Sequence, residues 1–464
     1  MFSLVVYAVL AAAVAGLVVK FALDFLQSDK NITWAEYIIV LVVITVIVAP
    51  FVAWAGWSMA KAAKLSFNEY WNGWELSADE EIITCYTNGR CKYDYTCNCH
   101  EVCTGTGKDR SCHTECDDCP YFRYERKLTI KTTLGDYFVA QLAPLDYEQQ
   151  KKTWGLPWGF GPKDYMTPQL WADCKARIDA GRPGPVTKRM KYDNFILASD
   201  RTILKQYSDM IDQYKEAGLL PPVASEVHDL YQANKVSFVG YSPSSAAEWQ
   251  SQLMYLNAAL GEELQGDLHL VVTQDNRISS NPDAYLLALK AHWQNPEVFG
   301  DSCLSKNGII VVIGIEDEQT VSWARAITGM PLGNEAMLVA MRNNLKGAPL
   351  TPARVIGVVS GEFYIREKDG KLKVRGLHSE GVLERILWGL DEPQTKFARV
   401  SMSGGDIDDI GTGFKYLAGE IEPSSGQKMA IVVVTFIICM GGWVTAAAVG
   451  ERTWGRRRRG YDYW

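Results

Sequence analysis

Long runs of apolar residues occur at three places in this chain, two near its start and one near its end. They extend from Phe2 to Val19, from Tyr37 to Met59 and from Met429 to Val449. A helix of about 20 apolar residues crosses the hydrocarbon core of a bilayer. The pattern therefore predicts three transmembrane helices, over 1–27, 34–60 and 428–450.

The first run has a second interpretation, a secretory signal peptide that is removed at the small residues from Ala11 to Ala15. A signal peptide starts with basic residues, and here none precedes Lys20. We therefore expect the first run to remain in the protein as a helix.

From about residue 188 the pattern changes to short strands that alternate with helices. Strands are predicted over Val236–Val239, Asp267–Thr273, Gly308–Ile315 and Val321–Ile327, and helices over Ser245–Leu264, Asp283–Trp293, Asn334–Leu345 and Glu380–Leu390. The third strand is almost entirely apolar, as expected of a central strand that is buried on both faces. This alternation predicts a three-layer α/β/α domain over 188–420.

A different pattern precedes that domain. Residues 71–141 have few apolar positions and contain two hairpin signals, Asn88-Gly89 and the turn at Leu134-Gly135-Asp136. They predict a small β module with a binding or bracing role. The connector 142–187 is rich in Trp, Pro and Gly, notably from Trp154 to Phe160, and we expect its rings to cover a domain junction or to lie near the membrane.

The β module holds most of the cysteines. Eight of the 11 in the chain are Cys85, Cys91, Cys97, Cys99, Cys103, Cys112, Cys116 and Cys119. An even, dense set favours a disulfide framework, and Cys174 with Cys303 would extend it. The alternative is a Zn²⁺ site, since Cys116-Asp-Asp-Cys119 has the spacing of a zinc knuckle. Only one such pair is present, so the spacing favours disulfides.

Charge beside the spans predicts the orientation in the membrane. Arg452 and the run Arg456, Arg457, Arg458 and Arg459 follow the third span, whereas Lys428 precedes it. Positive residues stay on the cytoplasmic side, so the basic tail 451–464 is predicted to be cytoplasmic and the main body extracytoplasmic. The tail arginines would also contact anionic lipid. This arrangement predicts an integral protein of a plasma or inner membrane. The net charge of −7 argues against a nucleic-acid partner.

The stretch 236–344 resembles the TPM domain, a membrane-anchored, extracytoplasmic α/β family. The matching run is Lys306-Asn307-Gly308 followed by an apolar strand and Asp317, with Leu270–Thr273 and the helix that contains Trp293 in the family's order. The family's Asp-Arg is Asp317-Glu318 here, which removes a candidate phosphate clamp. The resemblance implies a TPM-like core over 236–344. With the apolar runs and the cysteine pattern, the predicted fold is a three-layer α/β/α TPM-like domain plus a small Cys-rich β module, anchored by three transmembrane helices.

TPM domains are linked to phosphatase activity and to divalent-cation binding by acidic residues at strand ends. Here Glu316, Asp317 and Glu318 follow the buried strand, and Asp275 follows its neighbour. Their oxygens would suit Ca²⁺ or Mg²⁺ at the carboxyl edge of the sheet. The alternative is an ordinary solvated turn.

Two functions follow from these features. The preferred one is a membrane-anchored interaction or assembly protein that binds a protein partner or other copies of itself. The alternative is a cation-dependent, phosphatase-like hydrolase that uses the acidic residues at the strand ends. A catalytic site needs convergent groups, and the sequence offers a single acidic cluster.

Overall fold

The computed structural model describes residues 1–25, 34–85, 94–105, 107, 110–120, 123–146, 166–199, 208–224, 233–330, 333–357, 364–368, 371–375, 381–402 and 413–458. The chain divides into two compact units. The first combines Met1–Phe67, Tyr192–Thr202 and Ser401–Trp464, and the second combines Asn68–Lys191 and Ile203–Val400.

The described helices and strands are numbered here in chain order. The helices are α1 Phe2–Phe25, α2 Trp34–Val43, α3 Ala49–Leu65, α4 Gln169–Asp179, α5 Phe195–Ala198, α6 Ser208–Glu216, α7 Ala246–Leu264, α8 Asn276–Ser280, α9 Pro282–Trp293, α10 Pro296–Phe299, α11 Glu335–Leu345, α12 Pro352–Val355, α13 Val382–Trp388 and α14 Ser425–Arg458. The strands are β1 Ser66–Thr84, β2 Asp94–Thr104, β3 Ser111–Pro120, β4 Tyr124–Thr132, β5 Gly135–Leu142, β6 Pro185–Asp193, β7 Val236–Val239, β8 Asp267–Thr273, β9 Gly308–Ile315, β10 Val321–Thr328, β11 Tyr364–Lys368 and β12 Lys371–Arg375.

Some predictions fall outside the described residues. These are the Asn88-Gly89 hairpin, Cys91, the connector tryptophans at 154 and 158, and Arg459.

Among the described residues of the first unit, three helices are long and apolar enough to cross a membrane, which confirms that part of the prediction. Their membrane-length segments are Phe2–Ala22, Tyr37–Leu65 and Ser425–Ala446. The second passes through α2, the π-helical turn Ile44–Val48 and α3. Pro50 has no N–H to continue the regular ladder, and the N–H of Ala49 donates to the carbonyl of Ile44, five residues back.

Small residues allow these helices to approach closely. Ala12 and Ala15 of α1 are fully buried, and so is Trp443 of α14. The Trp443 ring stacks on Tyr37 with 4.9 Å between ring centroids. A Cβ added at Gly16 would lie 2.6 Å from the Trp443 ring, so only glycine leaves room for the indole.

Charged groups at one end of the bundle bring three chain segments together. Lys64, in the last turn of α3, donates to the carbonyl of Glu422 at 3.1 Å, and Lys428 donates to the Glu422 carboxylate at 2.5 Å. The hydrogen bond from Lys428 and the nearby charges of Lys428, the Met1 amino group and Lys64 hold the pKa of Glu422 below its ordinary value. The start of α1, the end of α3 and the start of α14 therefore lie at the same end of the helix bundle.

A four-stranded sheet forms the centre of the second unit, in the order β10-β9-β8-β7. Strands β7, β8 and β9 are parallel, and β10 is antiparallel to β9 as predicted. Every residue of β8 and β9 is buried. One hydrophobic core joins the sheet to α7, α11 and α13, and another joins it to α6 and α9. The mixed α/β prediction is therefore confirmed, with helices against both faces of the sheet.

A second sheet has the order β5-β4-β1-β6. Its core includes Leu128 and Ile130 of β4, against Trp171 and Cys174 of α4. Strand β6 begins in the predicted connector 142–187, continues into the predicted α/β domain 188–420 and pairs with β1. A strand's partner is set by long-range pairing, and hydrophobic alternation carries no information about that pairing.

Strand β1 packs directly on α7. Trp74 of β1 is buried against Ala258 and Ala259 of that helix. A Cβ added at Gly261 would lie 2.3 Å from the carbonyl oxygen of Asn72, so this glycine sets the distance between helix and strand. The two four-stranded sheets of the second unit thus share α7 as a packing element.

A buried carboxyl group on one of the helices has no described hydrogen-bond partner for its Oε2 atom. It belongs to Glu384, on the first turn of α13, which is 1% exposed. Burial raises the pKa of Glu384 to about 8, so the group is mostly protonated at neutral pH.

We expect Gly16→Ala to destabilise the first unit by about 1–3 kcal/mol, because the new methyl group overlaps the Trp443 ring. The matched control is Gly441→Ala on α14, where an added Cβ meets no atom within 4 Å. Thermal unfolding in detergent measures both. Equal melting temperatures for the two variants would contradict the close packing at Gly16.

We expect Glu384→Gln to stabilise the chain increasingly between pH 4.5 and about 8. The folded protein keeps its proton in this window while the unfolded chain releases it, so the wild-type free energy of unfolding falls as pH rises. After allowance for solvent screening, the gain at pH 8 is on the order of 2 kcal/mol.

Urea unfolding of both proteins from pH 4 to 9 measures this difference, with the exposed Glu297→Gln variant as control. A stability difference that does not change with pH would show that Glu384 titrates normally.

Candidate functional site

The cysteines of β2 and β3 form a ladder of three disulfides. The pairs are Cys97–Cys119, Cys99–Cys116 and Cys103–Cys112, with Cα atoms 5.8, 4.0 and 4.0 Å apart. Cys85 is also disulfide-bonded. The disulfide prediction is therefore confirmed for these seven cysteines, and their sulfurs are bonded to sulfur rather than free to bind Zn²⁺.

The hairpin that these disulfides cross-link is exposed to solvent. Among the described side chains from 96–104 and 111–119, none is buried. A two-stranded hairpin is marginally stable in water, and covalent cross-links replace the missing hydrophobic core here. The disulfides thus hold an exposed segment in a fixed shape.

The same hairpin is strongly acidic. Strands β2 and β3 contain Asp94, Glu101, Glu115, Asp117 and Asp118, and neither strand contains Lys or Arg. His113 lies 3.1 Å from the Glu115 carboxylate. We call the hairpin formed by β2 and β3 the acidic arm.

The predicted cation-binding residues lie at the carboxyl edge of the parallel strands, and two of them, Asp275 and Asp317, have local hydrogen-bond partners. Asp275 accepts hydrogen bonds from the side chain and the backbone N–H of Arg277. A Cβ added at Gly240, just after β7, would lie 3.4 Å from Asp275, so these two strand ends are adjacent. Hydrogen bonds from Arg277 lower the pKa of Asp275.

Asp317 lies in the turn after β9. Its Oδ1 atom accepts from the backbone N–H groups of Gln319 and Thr320, at 3.2 and 3.0 Å. These bonds lower the pKa of Asp317. Glu316 and Glu318 are exposed beside it. This geometry matches the solvated-turn alternative as well as a cation site.

A cation site needs ligand atoms that converge. Within the described residues, the group of His, Cys, Asp or Glu whose ligand atoms all lie within 4.8 Å is Glu101, Cys103 and Cys112, and its cysteines are bonded to each other. The four acidic residues of the sheet edge do not form such a group. Cation binding at this edge stays a prediction.

Sequence reasoning missed a buried ionic network around Asp267. One carboxylate oxygen of Asp267 accepts from Lys235 and, at 2.9 Å, from Asn72, while the other lies 3.0 Å from His269 Nε2. Burial alone would raise the pKa of Asp267, but Lys235 and His269 outweigh it and lower that pKa below its ordinary value. The carboxylate therefore stays charged in the interior.

This network connects the two four-stranded sheets of the second unit. Asn72 belongs to β1, and it accepts from Thr187 of β6 at 2.8 Å. Asp267 belongs to β8, and Lys235 immediately precedes β7. A signal was present in the sequence, because Asp267 and His269 put two polar residues on one face of an otherwise apolar strand.

The Asn-Gly pair on which the TPM resemblance depends has a structural role here. The Asn307 amide donates to the backbone carbonyls of Tyr70 and Gln265, at 3.2 and 3.0 Å. A Cβ added at Gly308 would lie 2.7 Å from the Leu304 side chain. These residues therefore fix the start of β9 rather than present groups to a ligand.

Cys174 and Cys303 do not pair, contrary to the expectation from their number. Both are buried free thiols. Burial raises the pKa of Cys174 and of Cys303 to about 12, so neither is a reactive thiolate at neutral pH. Counting cysteines cannot reveal which of them are near each other in space.

Comparison with models of known protein families, with curated proteins and with solved structures finds no match for this chain. The resemblance to the TPM domain therefore stays a prediction. The features that bear on function are the three helices of membrane-spanning length, the acidic arm and the chemistry of the described side chains.

We expect Asp267→Asn to destabilise the second unit by about 3–5 kcal/mol, since it leaves the buried Lys235 without its anionic partner. The double variant Asp267→Asn, Lys235→Met removes both charges and should recover part of this loss. Urea unfolding measures both effects. If Lys235→Met lowered the stability of the Asp267→Asn variant as much as it lowers that of the wild type, the two residues would not be coupled.

Proposed function

We propose that this protein is a membrane-anchored, extracytoplasmic interaction or assembly protein whose acidic arm binds a protein partner or another copy of the chain. The observation that carries this proposal is an exposed hairpin, cross-linked three times, in a chain with three helices long enough to cross a membrane. A rigid, charged and solvated hairpin is suited to recognition, because little conformational freedom is lost when it binds.

The compartment follows from redox chemistry. Disulfides persist in oxidising compartments and are rare where glutathione and thioredoxin keep thiols reduced. The disulfide-bonded arm supports a location of the body outside the cytoplasm. The run of arginines after the third span supports a cytoplasmic position for the tail.

The packing of the helices in the first unit supports the same topology. With the start of α1 and the end of α3 on one side, the chain crosses twice before the body begins. Helix α1 contributes Ala12, Ala15 and Gly16 to the packing around Trp443, which favours a retained helix over a removed signal peptide.

The body is proposed to be a TPM-like three-layer α/β/α domain. Parallel β7, β8 and β9 with helices against both faces support this assignment. The cation-dependent hydrolase is the less favoured function, because Asp275 and Asp317 have local hydrogen-bond partners and the four acidic residues of the sheet edge do not form a convergent group among the described residues.

Labelling of single introduced cysteines in intact cells tests the orientation. We expect Lys346→Cys, at an exposed position of the body, to react with a membrane-impermeant maleimide. The same reagent should reach Tyr463→Cys, in the tail, only after permeabilisation. The wild-type chain is the background control, because its described free thiols are buried.

Alkylation of the denatured wild-type chain without reductant should modify Cys174, Cys303 and Cys439, and the arm cysteines only after reduction. A tail that reacts before permeabilisation, or arm thiols found free in intact cells, would overturn the proposed function.

A further inference from the structure

One face of the acidic arm presents two histidines and a glutamate beside each other. His100 of β2 lies directly opposite Glu115 of β3, and His113 lies two positions before Glu115 on the same strand. Directly opposite residues share a face of a strand pair, and so do residues two apart along a strand. All three side chains are exposed to solvent. We call these three residues the His–Glu face.

A β-bulge places His100 on this face. Cys97 lies opposite Asp117, whereas His100 lies opposite Glu115, so three steps along β2 match two steps along β3. The extra residue shifts the alternation of side chains by one position. In a regular ladder His100 would point to the opposite side of the hairpin. Asn98, within the bulge, has a φ of 48°, a left-handed conformation that asparagine tolerates better than most residues.

Disulfides hold the hairpin together on the reverse side. Cys103 lies opposite Cys112 and is bonded to it, and Cys99 is bonded to Cys116. Both bonds connect β2 to β3, so the register of the two strands is fixed covalently around the His–Glu face. The three side chains therefore stay adjacent without a hydrophobic core beneath them.

The hydrogen bond of His100 prepares its other ring nitrogen to bind a cation. His100 Nδ1 lies 3.2 Å from the carbonyl oxygen of Asn98. Because a carbonyl oxygen only accepts, Nδ1 carries the proton and Nε2 of the neutral ring keeps a lone pair. Histidines that bind metal ions usually have their second ring nitrogen held in this way by a carbonyl or a carboxylate.

His113 and Glu115 have the spacing of two ligands of one ion. His113 Nε2 lies 3.1 Å from Glu115 Oε1. A tetrahedral Zn²⁺ ion with bonds of about 2.0 Å holds neighbouring ligand atoms about 3.3 Å apart, so the ion would replace the hydrogen between these two atoms. The ligand atoms of all three residues do not lie within 4.8 Å of one another. Closure around an ion therefore needs side-chain rotation, which their exposure permits.

The chemistry of the three groups selects the kind of ion. Imidazole nitrogens favour Zn²⁺, whereas Ca²⁺ and Mg²⁺ prefer oxygen ligands alone. The carboxylates of the arm attract cations, and strands β2 and β3 contain no Lys or Arg. The sheet edge differs in this respect. Asp275 there contacts the guanidinium of Arg277, which competes with a cation, whereas Glu115 contacts an imidazole that is itself a metal ligand.

We propose that the acidic arm binds one Zn²⁺ ion through His100, His113 and Glu115, with water in the fourth position. This inference goes beyond the proposed function and holds whether or not the arm binds a protein. The site is distinct from a cysteine site, because it needs the disulfides intact. A bound ion would also join β2 to β3 through side chains on the face opposite the disulfides.

Isothermal titration of the full chain in detergent with ZnCl₂, without reductant, tests the site. We expect one Zn²⁺ per wild-type chain. Each of the variants His100→Ala, His113→Ala and Glu115→Gln should bind Zn²⁺ at least about tenfold more weakly. CaCl₂ should bind far more weakly than ZnCl₂ to the wild type.

The matched control is Glu101→Gln. Glu101 is exposed and lies opposite Thr114, on the face that also contains the Cys103–Cys112 bond. This variant removes the same charge from the same hairpin as Glu115→Gln but leaves the His–Glu face intact. It should bind Zn²⁺ like the wild type.

Histidine labelling with diethyl pyrocarbonate locates the ion. The reagent acylates a ring nitrogen that has a lone pair, so Zn²⁺ should protect His100 and His113 in the wild type and in Glu101→Gln. Mass spectrometry of unreduced peptides measures this protection. The same peptides show whether each variant keeps its disulfides, so a misfolded arm is not mistaken for a lost ligand.

Several results would overturn the site. They are a wild type that does not bind Zn²⁺, Ca²⁺ binding as tight as Zn²⁺ binding, or a Glu101→Gln variant that weakens as much as Glu115→Gln. Binding that appears only after reduction would assign the ion to the cysteines instead. The maleimide labelling in intact cells succeeds or fails independently, since it reports the side of the membrane and not the ion.

Discussion

The second unit depends on the buried charge of Asp267. A carboxylate that is removed from water is costly unless charges and hydrogen-bond donors surround it, and here Lys235, His269 and Asn72 do so. Because these groups come from β1, β8 and the residue before β7, the charge is satisfied only when both sheets are in place. The network therefore makes the relative position of the two sheets specific, whereas apolar packing on α7 alone would tolerate small shifts.

The acidic arm is stabilised by covalent cross-links rather than by a hydrophobic core. Its sequence is too polar to bury enough apolar surface to offset chain entropy, and its carboxylates repel one another. Three disulfides within one hairpin restrict the unfolded chain and keep the strands paired. The stability of the hairpin comes from covalent bonds, so its surface charges are not needed for folding and are suited to binding. That separation of stability from surface chemistry is what makes an interaction role physically reasonable.

In a bilayer, the three apolar helices of the first unit would associate through close approach rather than through hydrophobic burial, because lipid tails are as apolar as the side chains between helices. Ala12, Ala15 and Gly16 allow α1 to approach the Trp443 indole of α14. The π-helical turn before Pro50 is accommodated within the second span, where the carbonyl of Ile44 still finds a donor. These details matter more in lipid than in water, since an unsatisfied backbone group there has no solvent to bind.

The sequence by itself determined the elements whose signals are local. The three apolar runs, the buried strand Gly308–Ile315 and its partner β10, and the presence of disulfides all follow from periodicity, length and composition. Only the tertiary structure decided what depends on residues distant in the chain. The pairing of β6 with β1, the free state of Cys174 and Cys303, and the Asp267 network are of this kind.

The acidic residues at the strand ends show the same division. The pattern placed them at one edge, but Arg277 and the backbone around Thr320 determine what each carboxylate contacts, because hydrogen bonds depend on spatial proximity that a linear pattern does not contain.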